Sequence, residues 1–375
     1  MKNDTKGKIF LNFIAILSFF LVFGLIGCEG PEGPAGPQGE KGDQGEQGPP
    51  GEDGADGING VDGADGADGM DITASACNRC HNDDELVIKR YELDMHDHVQ
   101  GSSVAYAGAR PGCARCHSHE DFRTFLQTGS DDVSGTVTPF NCKSCHTLHD
   151  DENVDNFTYD VLVTDPPETL TDVDISFGAD ASTNLCLQCH QPRRDFTAYD
   201  STPEDGSDPV TITSSHAGPH YGQMGSNLFG FGADDRNGST PLDQGPMIHA
   251  TGASCVSCHM GDYGDHNFEA VIDNCAPCHS GGDIDVNGAP TKMHDAIVLI
   301  EAEIVARGWY SEGEDGLESN ASSSNPLELT GPEFTAFWNY NIIHADHGAF
   351  YHNPPYAKAI INNIEENLGL TLTVW

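Results

Sequence analysis

Residues 255–259 read CVSCH, and the same spacing of two cysteines and a histidine occurs five more times in the chain. The other copies are CNRCH (Cys77, Cys80, His81), CARCH (Cys113, Cys116, His117), CKSCH (Cys142, Cys145, His146), CLQCH (Cys186, Cys189, His190) and CAPCH (Cys275, Cys278, His279); the opening copy contributes Cys255, Cys258 and His259. Of the 13 cysteines, Cys28 alone falls outside this pattern. In C-x-x-C-H the two thiols suit thioether bonds to the vinyl groups of one haem, and the adjacent imidazole suits its iron. Paired cysteines also serve zinc knuckles or disulfides, but neither explains a histidine behind the second cysteine in every copy. The chain is therefore expected to carry six c-type haems, with each motif histidine as the proximal ligand. Haem attachment of this kind takes place outside the bacterial cytoplasm, so the protein is expected to be exported.

Six haems in residues 72–375 leave about 50 residues for each, few for an ordinary apolar core. The expected fold class is a multihaem cytochrome c: mostly loops and short α-helices wrapped around six haems, little β, preceded by a collagen-like Gly-X-Y stalk. On this reading the haems supply much of the buried surface and the apoprotein does not fold.

The chain has 18 histidines. Beyond the six in motifs stand His96, His98, His119, His149, His216, His220, His249, His266, His294, His344, His347 and His352, against seven methionines in all. Two spare imidazoles per haem point to bis-histidine ligation, which lowers the potential and leaves no open coordination site. Spacing does not decide which imidazole serves which iron.

Several phrases around the motifs resemble the multihaem outer-surface cytochromes c of metal-respiring bacteria, some hexahaem members of which polymerise into conductive filaments. They are CARCHS followed by Phe122, CLQCHQPRR (186–194), GPHYGQ (218–223), IHATGASCVSCHM running into HNF (248–268), DIDVNG (283–288) and FWNYNIIHADHGAFYHNPPYAKAI (337–360). The resemblance spans most of residues 77–375. It implies distal ligation by His98, His149, His220, His249, His266 and His352, with His96 and His216 as rivals to His98 and His220. The chain departs from the family pattern at His119, His294 and His347, which stand as surface residues or alternative ligands.

The first 27 residues read as a lipoprotein signal peptide: Lys2, Lys6 and Lys8, an apolar run from Ile9 to Ile26, then Leu25-Ile26-Gly27-Cys28. Cleavage there would make Cys28 a lipidated N-terminus, anchored rather than spanning; an uncleaved membrane span is the alternative. From Gly30 to Gly69 a glycine falls at every third position, the register of a collagen triple helix. Residues 28–71 are thus expected to be a lipid-anchored stalk that reaches about 130 Å at 3.1 Å per residue and suits a homotrimer. The remaining domain expectations are a hexahaem-binding region over 72–290 and a C-terminal helical region over 291–375 that completes the haem domain. A formal charge of −42 excludes nucleic acid as a partner.

Smaller signals concern local structure. DIDVNG opens like a calcium loop but places His294 where the twelfth residue should be glutamate, so it is expected to be a tight turn. Arg193 and Arg194 suit haem propionates or an ion pair with Asp195. The acidic segment 151–183 is expected to be a surface excursion with a short strand at Asp160–Thr164. Helices are expected over 294–308, Pro332–Ile343 and Pro355–Leu368, with a Ser/Glu/Gly loop over 311–331.

The expected function is electron transfer along six haems at the outer membrane or cell surface, between redox partner proteins and an extracellular acceptor, with no catalytic residue. Two alternatives were weighed. A multihaem reductase of the nitrite, hydroxylamine or tetrathionate kind needs an iron with an open position, whereas every motif here ends in histidine. A filament subunit fits the resemblance but not a lipidated, stalked N-terminus.

Overall fold

The computed structural model describes residues 88–89, 91–94, 102–147, 160–171, 173–179, 181–200, 206–260, 266–270, 272–279, 283–313, 316–372 and 374. The chain divides into two units, Met1–Met70 and Asp71–Trp375, and all described residues lie in the second. The signal peptide, Cys28, the stalk, the first motif (Cys77, Cys80, His81), His96, His98 and His149 lie outside the described residues.

The described part is mostly helix and loop with little strand. Helices α1 (Ser102–Ala107), α2 (Ala114–His117), α3 (His119–Thr128), α4 (Cys142–Cys145) and α5 (Asn184–Leu187) carry or flank three motifs. Strand β1 (Val210–Ile212) and helices α6 (Met224–Phe229), α7 (Ile248–Gly252) and α8 (Cys255–His259) follow. Then come α9 (Ala289–Ala306), β2 (Tyr310–Gly313), β3 (Gly316–Ser319), β4 (Leu327–Leu329), α10 (Gly331–His344), α11 (Ala349–His352) and α12 (Pro354–Leu368). Strands β1 and β4 pair antiparallel with Ile212 opposite Leu327, and β2 and β3 form a hairpin with Tyr310 opposite Ser319. Among the described residues no helix is long and apolar enough to cross a membrane.

Motif helices last a single turn. In α2, α4 and α8 the helix stops at or beside the histidine, and serine or asparagine side chains cap α4 and α8 at Asn141 and Ser254. The long helices lie after the last motif. Helix α12 starts behind Asn353, whose side chain accepts from Tyr356 N–H at 3.2 Å, and stops at Gly369, whose φ of 65° suits glycine. Its buried residues Tyr356, Ile360, Ile364 and Leu368 recur at four-residue spacing. Helix α10 begins with Glu333 accepting from Thr330 N–H and Oγ1–H at 3.0 and 2.8 Å. Phe334, Phe337, Trp338, Tyr340 and Ile342 are buried around it, so this helix is the axis of the core.

That core corrects the expectation of a chain without one. Residues of α9, α10 and α12 pack with β1, β4 and Trp309 into one apolar cluster. The physical reason is position: the last motif ends at His279, so the following residues can pack on one another rather than on haem. Two local expectations also change. Residues 160–164 form no strand; Val161 makes a single bridge to His146, with Leu162 N–H donating to Cys145 O and Thr147 N–H to Asp160 O, both at 2.8 Å. Pro166 and Pro167 follow directly and cannot extend the ladder. The supposed loop over 311–331 instead contains β2, β3 and β4, because Tyr310, Leu327 and Leu329 bury their side chains in the core.

The expected helices are present with shifted ends, α9 starting five residues before His294. DIDVNG is the turn ahead of it: Asn287 and Gly288 have φ of 58° and 69°, and Asp285 accepts from Thr291 N–H at 3.1 Å and from its hydroxyl at 2.7 Å. Asp285 therefore satisfies a first-turn amide instead of a cation.

A charged cluster joins the segments before and after β1. Arg236 donates to Asp234 from Nε at 2.8 Å and Nη2 at 2.7 Å, and to Asp200 from Nη1 at 2.5 Å, and its guanidinium lies 4.3 Å from the Phe196 ring centre. Asp234 and Asp200 are almost wholly buried.

Candidate functional site

Each described motif ends with its histidine at the tip of a one-turn helix or turn, and four of these rings face a histidine from elsewhere in the chain. His117 faces His220 at 6.2 Å between ring centres, and His146 faces His266 at 6.2 Å. His279 faces His249 at 6.2 Å, and His259 faces His352 at 6.3 Å. The interplanar angles lie between 43° and 50°. Aromatic contacts span a range of centre distances, and other ring pairs among the described residues run from 5.3 Å for Tyr310–Tyr340 to 6.5 Å for His220–Tyr221. The four histidine pairs do not spread in this way.

A nitrogen of imidazole sits about 2.0 Å from a first-row metal and about 1.1 Å from its own ring centre. Two rings on opposite sides of one iron therefore stand about 6.2 Å apart. The four pairs match that spacing, and each joins one motif histidine to one from outside the motifs. The residues present fit a haem iron with two axial imidazoles.

Hydrogen bonds set which ring nitrogen carries the hydrogen. His249 Nδ1 bonds to Tyr351 O at 2.6 Å, His259 Nδ1 to Phe268 O at 2.7 Å, and His190 Nδ1 to Gly222 O at 3.2 Å. A carbonyl only accepts, so Nδ1 carries the hydrogen and Nε2 keeps its lone pair for a metal. His352 does the same with a carboxylate, donating from Nδ1 to Asp346 Oδ2 at 2.8 Å. Burial lowers His117, His190 and His259, and lowers His220 to about 4 although part of that residue is exposed; Arg193 adds to the effect at His117 and His220. All four are therefore neutral at pH 7, the form that binds a metal.

Glycines allow some of these approaches. A Cβ on Gly348 would stand 2.7 Å from His352 Cε1, and one on Gly225 would stand 2.7 Å from Leu187 in the fourth motif's helix. His220 itself has φ of 85°, a left-handed conformation rare for a side-chain-bearing residue and a mark of functional constraint.

The motifs also touch one another. The thiols of Cys116 and Cys189 are close neighbours that shift each other's titration, as are those of Cys186 and Cys255. The fourth motif thus lies against both the second and the fifth. Val256 N–H donates to Thr183 Oγ1 at 3.3 Å across the latter junction. His119 Nδ1 bonds to Ser144 Oγ at 2.8 Å, which ties α3, the helix after the second motif, to the third motif's helix.

Of the expected distal histidines, His220, His249, His266 and His352 all face a motif histidine, whereas His98 and His149 lie outside the described residues. The other spare histidines sit differently. His216 and His347 are exposed, and His294 is exposed beside Asp295. His344 stacks on Tyr340 at 5.3 Å with rings 20° apart. Arg194 donates to Tyr199 OH at 2.8 Å, and Asp195 accepts from Thr197 rather than from either arginine. Sequence reasoning missed Asp346, whose buried carboxylate holds His352; its place inside HADH was the available signal.

Comparisons with known proteins add the following. A family model described as collagen triple helix repeat (20 copies) matches residues 23–74. No curated protein matches the chain. Among solved structures, the undecaheme cytochrome from the S-layer of Carboxydothermus ferrireducens is similar at 16% identity, covering 75% of this chain and 40% of that one, with a TM-score of 0.41. The chain thus spans less than half the length of that protein.

Proposed function

We propose that this protein is an electron carrier with six covalently attached, bis-histidine c-type haems, held at the cell surface by lipid on Cys28 and a collagen-like stalk. The observation that carries the reading is the repeated pairing of a C-x-x-C-H histidine with a second imidazole at iron-spanning distance. A c-type haem, when bound, supplies a one-electron Fe(III)/Fe(II) couple. The chain's own residues do the rest. Paired cysteines would tether it, paired imidazoles would ligate its iron, and carbonyl or carboxylate acceptors fix the tautomer and direction of His190, His249, His259 and His352. Contacts between the second, fourth and fifth motifs support a closely spaced set of redox centres. His98 and His149 are proposed as the distal ligands for the two motifs whose partners lie outside the described residues.

The strict Gly-X-Y register and the collagen-repeat match support a homotrimeric stalk. Redox partner proteins and an extracellular acceptor are the proposed partners.

The test is visible and electron paramagnetic resonance spectroscopy of the full-length, haem-loaded protein with a mass count of haem. Six haems, all low-spin in both oxidation states, are expected. A substantial high-spin, five-coordinate population in the wild-type protein would refute the carrier reading in favour of a reductase.

A further inference from the structure

The four described ring-nitrogen acceptors are not equivalent. Behind His190, His249 and His259 stands a neutral backbone carbonyl. Behind His352 stands Asp346, which is 1% exposed. Three donors pin this carboxylate: His352 Nδ1 at 2.8 Å and Asn227 Nδ2 at 2.9 Å on Oδ2, and Gly348 N–H at 2.9 Å on Oδ1. Asn227 is also buried and donates to Ile342 O at 3.2 Å, so the arrangement is anchored to helix α10.

An anionic acceptor makes an imidazole a stronger donor to its metal than a neutral carbonyl does. A full charge in a dry, low-dielectric setting also stabilises the more positive oxidation state of a nearby iron. Both effects act in one direction and lower the reduction potential.

We propose that Asp346 is a positioning residue that orients His352 and, as a buried anion, gives the iron between His259 and His352 a lower reduction potential than it would have behind a neutral acceptor. The inference rests on the bis-histidine reading above. That centre lies beside the fourth motif, where Val256 N–H donates to Thr183 Oγ1 at 3.3 Å.

The test compares full-length, haem-loaded wild type with Asp346→Asn and with Asp295→Asn, an exposed charge-matched control on α9. Each is titrated by spectroelectrochemistry after a mass count of haem and a spin-state measurement. In Asp346→Asn one transition is expected to move positive, changing the oxidised-to-reduced ratio at fixed potential by about tenfold, or about 59 mV for one electron. Asp295→Asn should leave every transition in place. Should Asp346→Asn not accumulate, Asn227→Ala withdraws a donor from the carboxylate, leaves more of its charge on His352 and is expected to move the same transition negative. With six low-spin haems present, an Asp346→Asn titration that matches Asp295→Asn, or an Asn227→Ala shift in the positive direction, overturns the proposal. Missing haems or high-spin iron in the wild type would instead overturn the bis-histidine reading.

Discussion

Replacing His220 by glycine separates the two contributions of that residue. Its backbone sits at φ 85°, where glycine is at ease and a residue with a Cβ pays about 1 kcal/mol. The substitution therefore relaxes the GPHYGQ turn while deleting the ring that stands 6.2 Å from His117. The fold should tolerate it, and the second motif's iron should lose its outer ligand. One iron of six becomes five-coordinate, so about one sixth of the haem should turn high-spin and bind carbon monoxide when reduced. His216 lies four residues away, exposed, and is the nearest rival by sequence. The double variant His216→Ala, His220→Gly removes it. Spin quantitation and carbon monoxide difference spectra are the assays. A double variant that keeps six haems and remains wholly low-spin would refute the assignment of His117 and His220 to one iron.

Three further outcomes concern stability. Arg236→Ala leaves Asp200 and Asp234 buried without their cation and should cost about 3–5 kcal/mol in denaturant titration, with haem content unchanged in the protein that folds. Trp338→Ala removes a fully buried ring and the donor to Gly232 O at 2.8 Å; about 3–5 kcal/mol should be lost. Finally, Glu120 and Glu333 sit below the ordinary glutamate value of 4.5, because hydrogen bonds from Thr138 and Thr330 outweigh burial, and Glu366 is lowered by Ser239 and Thr240. A depressed folded value gives stability that is complete above the unfolded value and is lost as pH falls through the folded one. Thermal melts of the haem-loaded protein should therefore fall as pH drops below the ordinary histidine value of 6.5, where the buried neutral imidazoles gain protons only on unfolding, and fall further below the ordinary glutamate value of 4.5. A melting temperature that rises on acidification would contradict these contacts.

Much of the candidate site was legible in advance because its chemistry is local. A thiol, two residues, a thiol and an imidazole occupy one helical turn, so five consecutive letters carry the proposed tether and one proposed ligand. The C-terminal helices were legible for a similar reason: Pro354 and Pro355 begin α12, Gly369 ends it, and its buried face repeats within a few residues. The turn at Asp285–Gly288 also announced itself, though not that Asp285 would serve the first turn of α9.

The outer ligand of each iron is a different matter, since it arrives from far along the chain: His352 lies 93 residues beyond His259, and His220 lies 103 beyond His117. No local pattern encodes such a meeting. Packing decides it, through Gly348 beneath the His352 ring, Asp346 behind it, and α10 and α11 holding both. The apolar core was missed because haem density was averaged over the whole region, whereas the motifs end at His279 and leave α9, α10 and α12 to pack on one another. The sequence alone supplied the thiols and imidazoles proposed to attach and ligate haem, and the Gly-X-Y register, each written in neighbouring residues. The tertiary structure alone decided which imidazoles face each other, which motifs touch and which ring is backed by a charge, because those depend on contacts between segments that the chain separates.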